Sequence, residues 1–247
     1  MISALSRSLA MLEAVLADRE GQSVPVIAKA IGLPRATAHR QIATLIGEGF
    51  LLRVPGGRLG PGPRLLALAE LIDAKQIVVA AAAPVLHRLA ARLQCLVQLG
   101  TLENDMVTYR IKTGQGAGDL FTRVGMQFEA YCTGIGKVLL AHLTAAEREA
   151  YLATGPFPAL TSYTITDPAQ LRLELEQVVA QGFARDNEEI AEGLVCVAVP
   201  LLGPDGRVVA AISASRPRLD VARIPEADVI ELLRGAADLT RERVFDA

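Results

Sequence analysis

The chain has 247 residues and 26.2 kDa, with 51% hydrophobic residues and a formal charge of −2. That length allows one large domain or two modest ones, and an apolar half supplies real cores and excludes wholesale disorder. The longest uncharged run, residues 150–166, holds Gly155, Pro156 and Pro158 and does not read as a membrane span, while Arg7, Glu13 and Asp18 interrupt any secretory core at the N-terminus.

Cys95, Cys132 and Cys196 are widely spaced and form no CxxC pair, and His39, His87 and His142 are scattered. Such spacing offers neither a disulfide framework nor a metal cage, so no metal and no cofactor is expected, and the compartment expected is the cytoplasm. Charge is unevenly spread. Between Ser23 and Arg64 six basic residues, Lys29, Arg35, Arg40, Arg53, Arg58 and Arg64, face a single acid, Glu48, whereas the chain beyond is net acidic. A basic head on an acidic body suits a domain that meets phosphates joined to one that does not.

In chain order, Leu5, Leu9, Leu12 and Leu16 recur at helical spacing and predict a first amphipathic helix. Ser23 and Pro25 open a short second helix with Ile27, Ala28 and Ile31 as its apolar side. Gly32-Leu33-Pro34 turns the chain into a third, whose Ala38, Ile42 and Leu45 face inward. Its opposite face, Ala36, Thr37, Arg40, Ala43, Thr44 and Gly47, is small and polar with one long cation. A strand at residues 49–52 then turns through Pro55-Gly56-Gly57 into Arg58-Leu59-Gly60. Three short helices and a basic hairpin describe a winged helix-turn-helix. The slim face of one helix can approach base edges in a major groove, with Thr37, Arg40 and Thr44 hydrogen-bonding and Arg53 and Arg58 near phosphates.

Pro61-Gly62-Pro63 reads as a hinge. Leu65–Ile72 and Ile77–Leu93 read as aliphatic helices, the second kinked or broken by Pro84, and a subunit contact is the expected use of their surface. Residues 94–100 and 106–112 read as strands around Glu103-Asn104-Asp105, and 136–143 as a helix. Thr144 and Glu147 form a capping box, Asp167 and Pro168 start a helix that Gly182 stops, and Pro225 opens a last helix reaching Arg243. Residues 194–202 and 207–215 are strands around Gly203-Pro204-Asp205-Gly206. Helices mixed with hairpins predict an α+β fold with an antiparallel sheet. The expected domains are a DNA-binding head (1–62), a linker helix (63–76) and a C-terminal domain (77–247).

Several segments together resemble the IclR-type bacterial transcription regulators. Residues 32–40, with Thr44-Leu45 and Glu48-Gly49-Phe50, are similar to that family's helix-turn-helix; Tyr131–Lys137 with Leu140-Ala141 is similar to the loop and helix entering its sensor domain. Residues 182–189 and 193–198 resemble its effector-pocket segment, and Ala211–Ser215 its closing strand. The resemblance implies a winged head on a GAF-like effector-binding domain, assembled as a homodimer or a dimer of dimers on a double-stranded DNA operator. On the head it implies Arg35, Thr37, His39, Arg40, Thr44, Arg53 and Arg58 as the DNA-contacting residues. It also implies a pocket floored by Gly134 and Ile135 and walled by Asp186, Cys196, Ser213 and Ser215.

The residues themselves agree with that pocket. Ser213 and Ser215 alternate with Ile212 and Ala214, so both hydroxyls leave one strand face. Hydroxyls, a thiol and amides suit a small organic acid held by neutral donors, either a short oxo-acid or an aromatic acid. The competing reading is a Ser/Cys hydrolase using the same pocket, but no G-x-S-x-G elbow surrounds the serines, and no catalytic residue is assigned. Gly114-Gln115-Gly116-Ala117-Gly118 lacks a phosphate-loop lysine and reads as a hairpin loop.

Overall fold

The computed structural model describes residues 4–18, 20–116 and 121–245, and the chain divides into two compact units, residues 1–73 and 74–247. The first unit holds α1 (Ala4–Ala17), α2 (Val24–Ala30), α3 (Arg35–Gly47), β1 (Leu51–Arg53), β2 (Leu59–Pro61) and α4 (Pro63–Glu70). Its core joins Met11, Leu12 and Val15 of α1 to Ile27, Ala38, Ile42, Leu45 and Leu51. The helix expected at Leu5–Leu16 forms, but of its four leucines only Leu12 is buried; Leu5, Leu9 and Leu16 are exposed. Met11, Ala14 and Val15 widen the apolar side of α1, so periodicity alone does not choose which part of it packs inward.

Pro61-Gly62-Pro63 is not a hinge. The Gly62 amide donates to Phe50 O at 2.8 Å and the Arg64 amide to Gly49 O at 3.1 Å. A Cβ on Gly62 would stand 2.1 Å from Gly49 O, so the absence of a side chain lets the start of α4 lie against the turn before β1. Arg64 then reaches Glu48 at 3.0 Å and lies over the Phe50 ring.

The second unit runs α5 (Ala74–Leu93), β3 (Leu96–Glu103), β4 (Met106–Gly114), β5 (Gln127–Glu129), α6 (Gly134–Ala141), α7 (Ala145–Leu152), α8 (Pro168–Gln181), β6 (Ala184–Asn187), β7 (Leu194–Leu202), β8 (Val208–Pro217), a 3-10 segment (Arg218–Arg223) and α9 (Glu226–Phe245). The six strands make one antiparallel sheet in the order β5-β4-β3-β8-β7-β6. Asn104 and Asp105 take positive φ at the β3–β4 turn, and the capping box of Thr144 and Glu147 forms. Asp167 caps α8 and Gly182 ends it in the left-handed conformation. The short strands β5 and β6 carry too few residues for a period-2 pattern, and the sequence gives no sign of them as strands.

Both sheet faces are covered. Val97, Leu99, Val197, Val199 and Ile212 meet α5 and α9 on one side; Val107, Ala198 and Ala211 meet α6 and α8 on the other. α5 passes unbroken through Pro84, which sits on its exposed side, where the carbonyl it displaces can turn to water. The fate expected for its aliphatic surface is also corrected: Val78, Val85, Leu86, Leu89 and Leu93 bury against this unit's own sheet. α5 is the one described helix long and apolar enough to cross a membrane, but that packing is what a core helix does. The exposed aliphatics of these two helices are Leu66, Leu68, Leu71 and Ile72, in and after α4, and Ile77 in the first turn of α5. Gly114 closes β4 and Gln115-Gly116 begins a turn; Ala117 and Gly118 lie outside the described residues.

Candidate functional site

The first candidate surface is the open side of α3. Ala38, Gln41, Ile42 and Leu45 are buried, which leaves Thr37, Arg40 and Thr44 in one row along the opposite side, with Arg35 and His39 in the row beside it. Thr37 is half-buried and the others are exposed. The Thr44 hydroxyl donates back to Arg40 O at 3.1 Å, leaving its lone pairs outward as an acceptor. Arg53 and Arg58 are exposed beside the turn of the β1–β2 hairpin. No carboxylate pairs with any of these arginines among the described residues, in contrast to Arg64, and that leaves their charge open to solvent.

The second candidate is a buried polar cluster between α6 and the sheet. Register builds it in two rows. Asp186, Cys196 and Ser215 lie directly opposite one another across β6, β7 and β8; Ala198, Ser213, Gln98 and Lys112 form the next row across β7, β8, β3 and β4. Gln98, Tyr109, Asp186, Cys196, Ser213 and Ser215 all border one cavity together with Gly134 and Ile135. Its free volume is about 10 Å³, room for at most one water.

The helix end above it is built for donation. Thr133 caps α6 by accepting the Gly136 amide at 2.9 Å, and the Lys137 amide bonds Thr133 O at 2.9 Å. The Gly134 and Ile135 amides are first-turn donors that the helix itself leaves unused. Gly136 is required for this approach, since a Cβ there would stand 2.1 Å from Ala130 O. The Ser213 and Tyr109 hydroxyls have no hydrogen-bond partner among the described residues, and Ser215 accepts the Cys196 thiol at 3.0 Å.

Electrostatics distinguish the members. Burial, and then the charge of Glu189, push the Asp186 carboxyl up to about 7, against the Glu189 amide that donates to it at 2.8 Å. Near neutral pH Asp186 can therefore hold a proton and donate it. Burial and the Asp186 charge push the Cys196 thiol well up, the reverse of what a nucleophilic cysteine needs. His87 bonds Thr113 and His142 bonds Val138 O; neither borders the cavity, and His39 lies in the other unit.

Three features went unforeseen. Gln98, buried in the apolar run Leu96–Leu99, and Tyr109 add polar atoms to the cavity; a polar residue inside such a run was the available signal. Lys112 stands opposite Gln98 in the register, and both bond Thr122, the Gln98 amide at 3.1 Å. Lys137, 1% exposed, bonds Glu189 at 2.6 Å and Glu174 at 3.0 Å, and so ties α6 to the segment that positions Asp186.

Known proteins place this arrangement. Residues 4–55 match the IclR helix-turn-helix domain and residues 72–240 the C-terminal domain of the bacterial transcriptional regulator IclR. The chain is 30% identical over 216 residues to the Pca regulon regulatory protein of Pseudomonas putida, covering 87% of this chain and 74% of that one. An IclR homolog from Microbacterium hydrocarbonoxydans, solved with 4-hydroxybenzoate, superposes with a TM-score of 0.63 at 29% identity, covering 98% of this chain and 99% of that one. The Thermotoga maritima IclR gives 0.62 at 26%, covering 97% and 98%. With both of its units matched and its fold shared, the chain belongs to the IclR family of bacterial transcriptional regulators.

Proposed function

We propose that α3 and the β1–β2 wing read an operator in duplex DNA, and that a small organic carboxylate bound between α6 and the sheet sets the affinity for it. The observation that carries the second half is convergence. Donors from five separate elements, the α6 amides, Tyr109, Asp186, Ser213 and Gln98, border one cavity, and two of their hydroxyls lack a partner among the described residues. A carboxylate accepts several such bonds at once, and the α6 N-terminus adds favourable charge. The 4-hydroxybenzoate bound by the Microbacterium homolog belongs to the same chemical class. The cavity must open for an aromatic acid, and less so for a short oxo-acid.

The functional division is then the head (1–62), the linker (63–76) and the effector-binding domain (77–247). Recognition uses Arg35, Thr37, His39, Arg40 and Thr44 toward bases and nearby backbone, with Arg53 and Arg58 toward phosphates. The assembly is a homodimer, because one recognition helix covers only a half-site. The exposed aliphatics of α4 and Ile77 of α5 supply its contact, since the rest of the α5 aliphatics are used within the unit. Such a protein works in the cytoplasm and catalyses nothing; the protonated Cys196, with no histidine at the cavity, supports that reading. The carboxylate acts as an effector only through different affinities for the operator-bound and operator-free states. A thermal-shift screen of carboxylates on the full chain, repeated on Ser213→Ala, tests this. A shift that the variant loses is expected; a shift unchanged in the variant refutes the pocket.

A further inference from the structure

On the opposite face of the sheet lies a guanidinium with no carboxylate partner among the described residues. Arg216 of β8 is 5% exposed, and its one side-chain hydrogen bond among the described residues runs from Nη1 to Ile224 O at 2.8 Å. One carbonyl offsets one of five N–H donors and none of the charge. The nearby carboxylates are already engaged. Glu226 takes Arg185 in a fork at 2.6 and 2.9 Å, Glu188 takes Arg218 at 3.0 Å and the Gly193 amide at 2.8 Å, and Asp220 takes Arg223 at 3.0 Å. Asp186, which also borders this space, accepts the Glu189 amide. An unpaired buried cation is costly, so a chain that keeps one there gains from an anion that meets it.

Space for that anion adjoins it. Arg216 borders a cleft of about 350 Å³ above the ends of β6, β7 and β8, a volume in the range of small-molecule sites. Register places Val195 directly opposite Arg216, with Val197 two residues along on the same face, and Val221 of the 3-10 segment also lines the cleft. The floor is therefore apolar, and the walls carry Arg216 beside Arg185, Arg218, Glu226 and Asp186, of which Arg185 and Glu226 pair with each other and Arg218 with Glu188. A second cleft beyond Arg216, about 260 Å³, has Arg92 and Arg223 but lacks the valine floor.

We propose that this cleft is a second ligand site, taking a monocarboxylate with an apolar body whose carboxylate forks onto Arg216 while its hydrocarbon lies on Val195, Val197 and Val221. Asp186 and Cys196 border both this cleft and the pocket under α6, but Arg216 and the three valines border this cleft and not that one, so the proposal does not depend on that reading. A planar fork suits a carboxylate, and the valines disfavour a bare inorganic anion.

Calorimetric titration of the full chain with benzoate tests the proposal, on wild type, Arg216→Met and the double variant Ser213→Ala/Ser215→Ala. Two molecules per chain are expected for wild type and one for each variant, the site left in the double variant resisting competition by inorganic phosphate. Arg216→Met should also melt at a higher temperature than wild type without benzoate, because a buried unpaired charge is gone. Should Arg216→Met fail to fold, Arg216→Lys, which keeps the charge and loses the fork, should weaken this site at least tenfold. Crystals soaked in 4-iodobenzoate should show iodine over the three valines. Undiminished stoichiometry in the Arg216 variants, or iodine confined to the α6 pocket, overturns the proposal. Binding lost in the Arg216 variants and intact in the serine variant would instead overturn the α6 pocket and leave this one standing.

Discussion

The head and the C-terminal unit present their polar residues in opposite ways. On α3 and the wing, Arg35, His39, Arg40, Thr44, Arg53 and Arg58 lie exposed, and their side chains form no part of the core built by Met11, Ile42 and Leu51. In the C-terminal unit Asp186, Ser213 and Ser215 are at most 3% exposed, and Asp186 is joined through Glu189 to the buried Lys137. A surface reader separates recognition from stability. A buried site entangles them, because each polar group removed from water must be satisfied by the fold or by the ligand. Substitutions on the two sides should therefore fail differently.

The largest effect is expected at Lys137. Lys137→Met leaves Glu189 and Glu174 without their cation, and Glu189 already has one buried oxygen unpartnered. Breaking a buried pair in this way costs about 3–5 kcal/mol, to be read from urea unfolding. A loss below 1 kcal/mol would show that the network does not hold the site. On the head, Arg40→Ala should cost roughly 1–3 kcal/mol of specific operator binding, the worth of one good base contact, with the unfolding midpoint unchanged. Gel shifts at equal salt that match wild type would remove α3 from the major groove.

Asp186 couples pH to both properties. Its folded pKa, about 7, stands above the unfolded value of 3.8, so its contribution to stability is full below 3.8 and is lost as pH rises toward 7. Carboxylate affinity should fall above that pH by up to about tenfold per unit, as an ionised Asp186 faces an anion. Asp186→Asn should flatten both curves, and a pH profile unaltered in the variant would exclude Asp186 as the proton holder. The smallest effect is expected at the wing, where Arg58→Ala should weaken all DNA sequences alike and lower the salt slope by about one.

The same contrast explains what could be read from the sequence. The open side of α3 was legible because Ala38, Ile42 and Leu45 fix one face and the rest follows from the 3.6-residue period. The pocket was legible in part: alternation put Ser213 and Ser215 on one face, but nothing local brings Gln98 and Tyr109 to them. Those neighbours depend on strand order and on the register shift at Leu99/Gly100, which are long-range choices. The hinge at Pro61–Pro63 failed for a related reason. Proline and glycine mark a turn, but only the packing of Gly62 on Gly49 shows it to be a fixed one.

The claim that the pocket under α6 governs the head is tested most directly by one titration. Operator affinity of the full chain is followed by fluorescence anisotropy at fixed salt while 4-hydroxybenzoate, and separately a short 2-oxo acid, is added to wild type and to Ser213→Ala. The variant should bind operator as wild type does without ligand, yet need roughly 10- to 100-fold more of the active acid for the same change, the worth of one hydrogen bond to a charged acceptor. Equal response of variant and wild type at the same ligand concentration would contradict it.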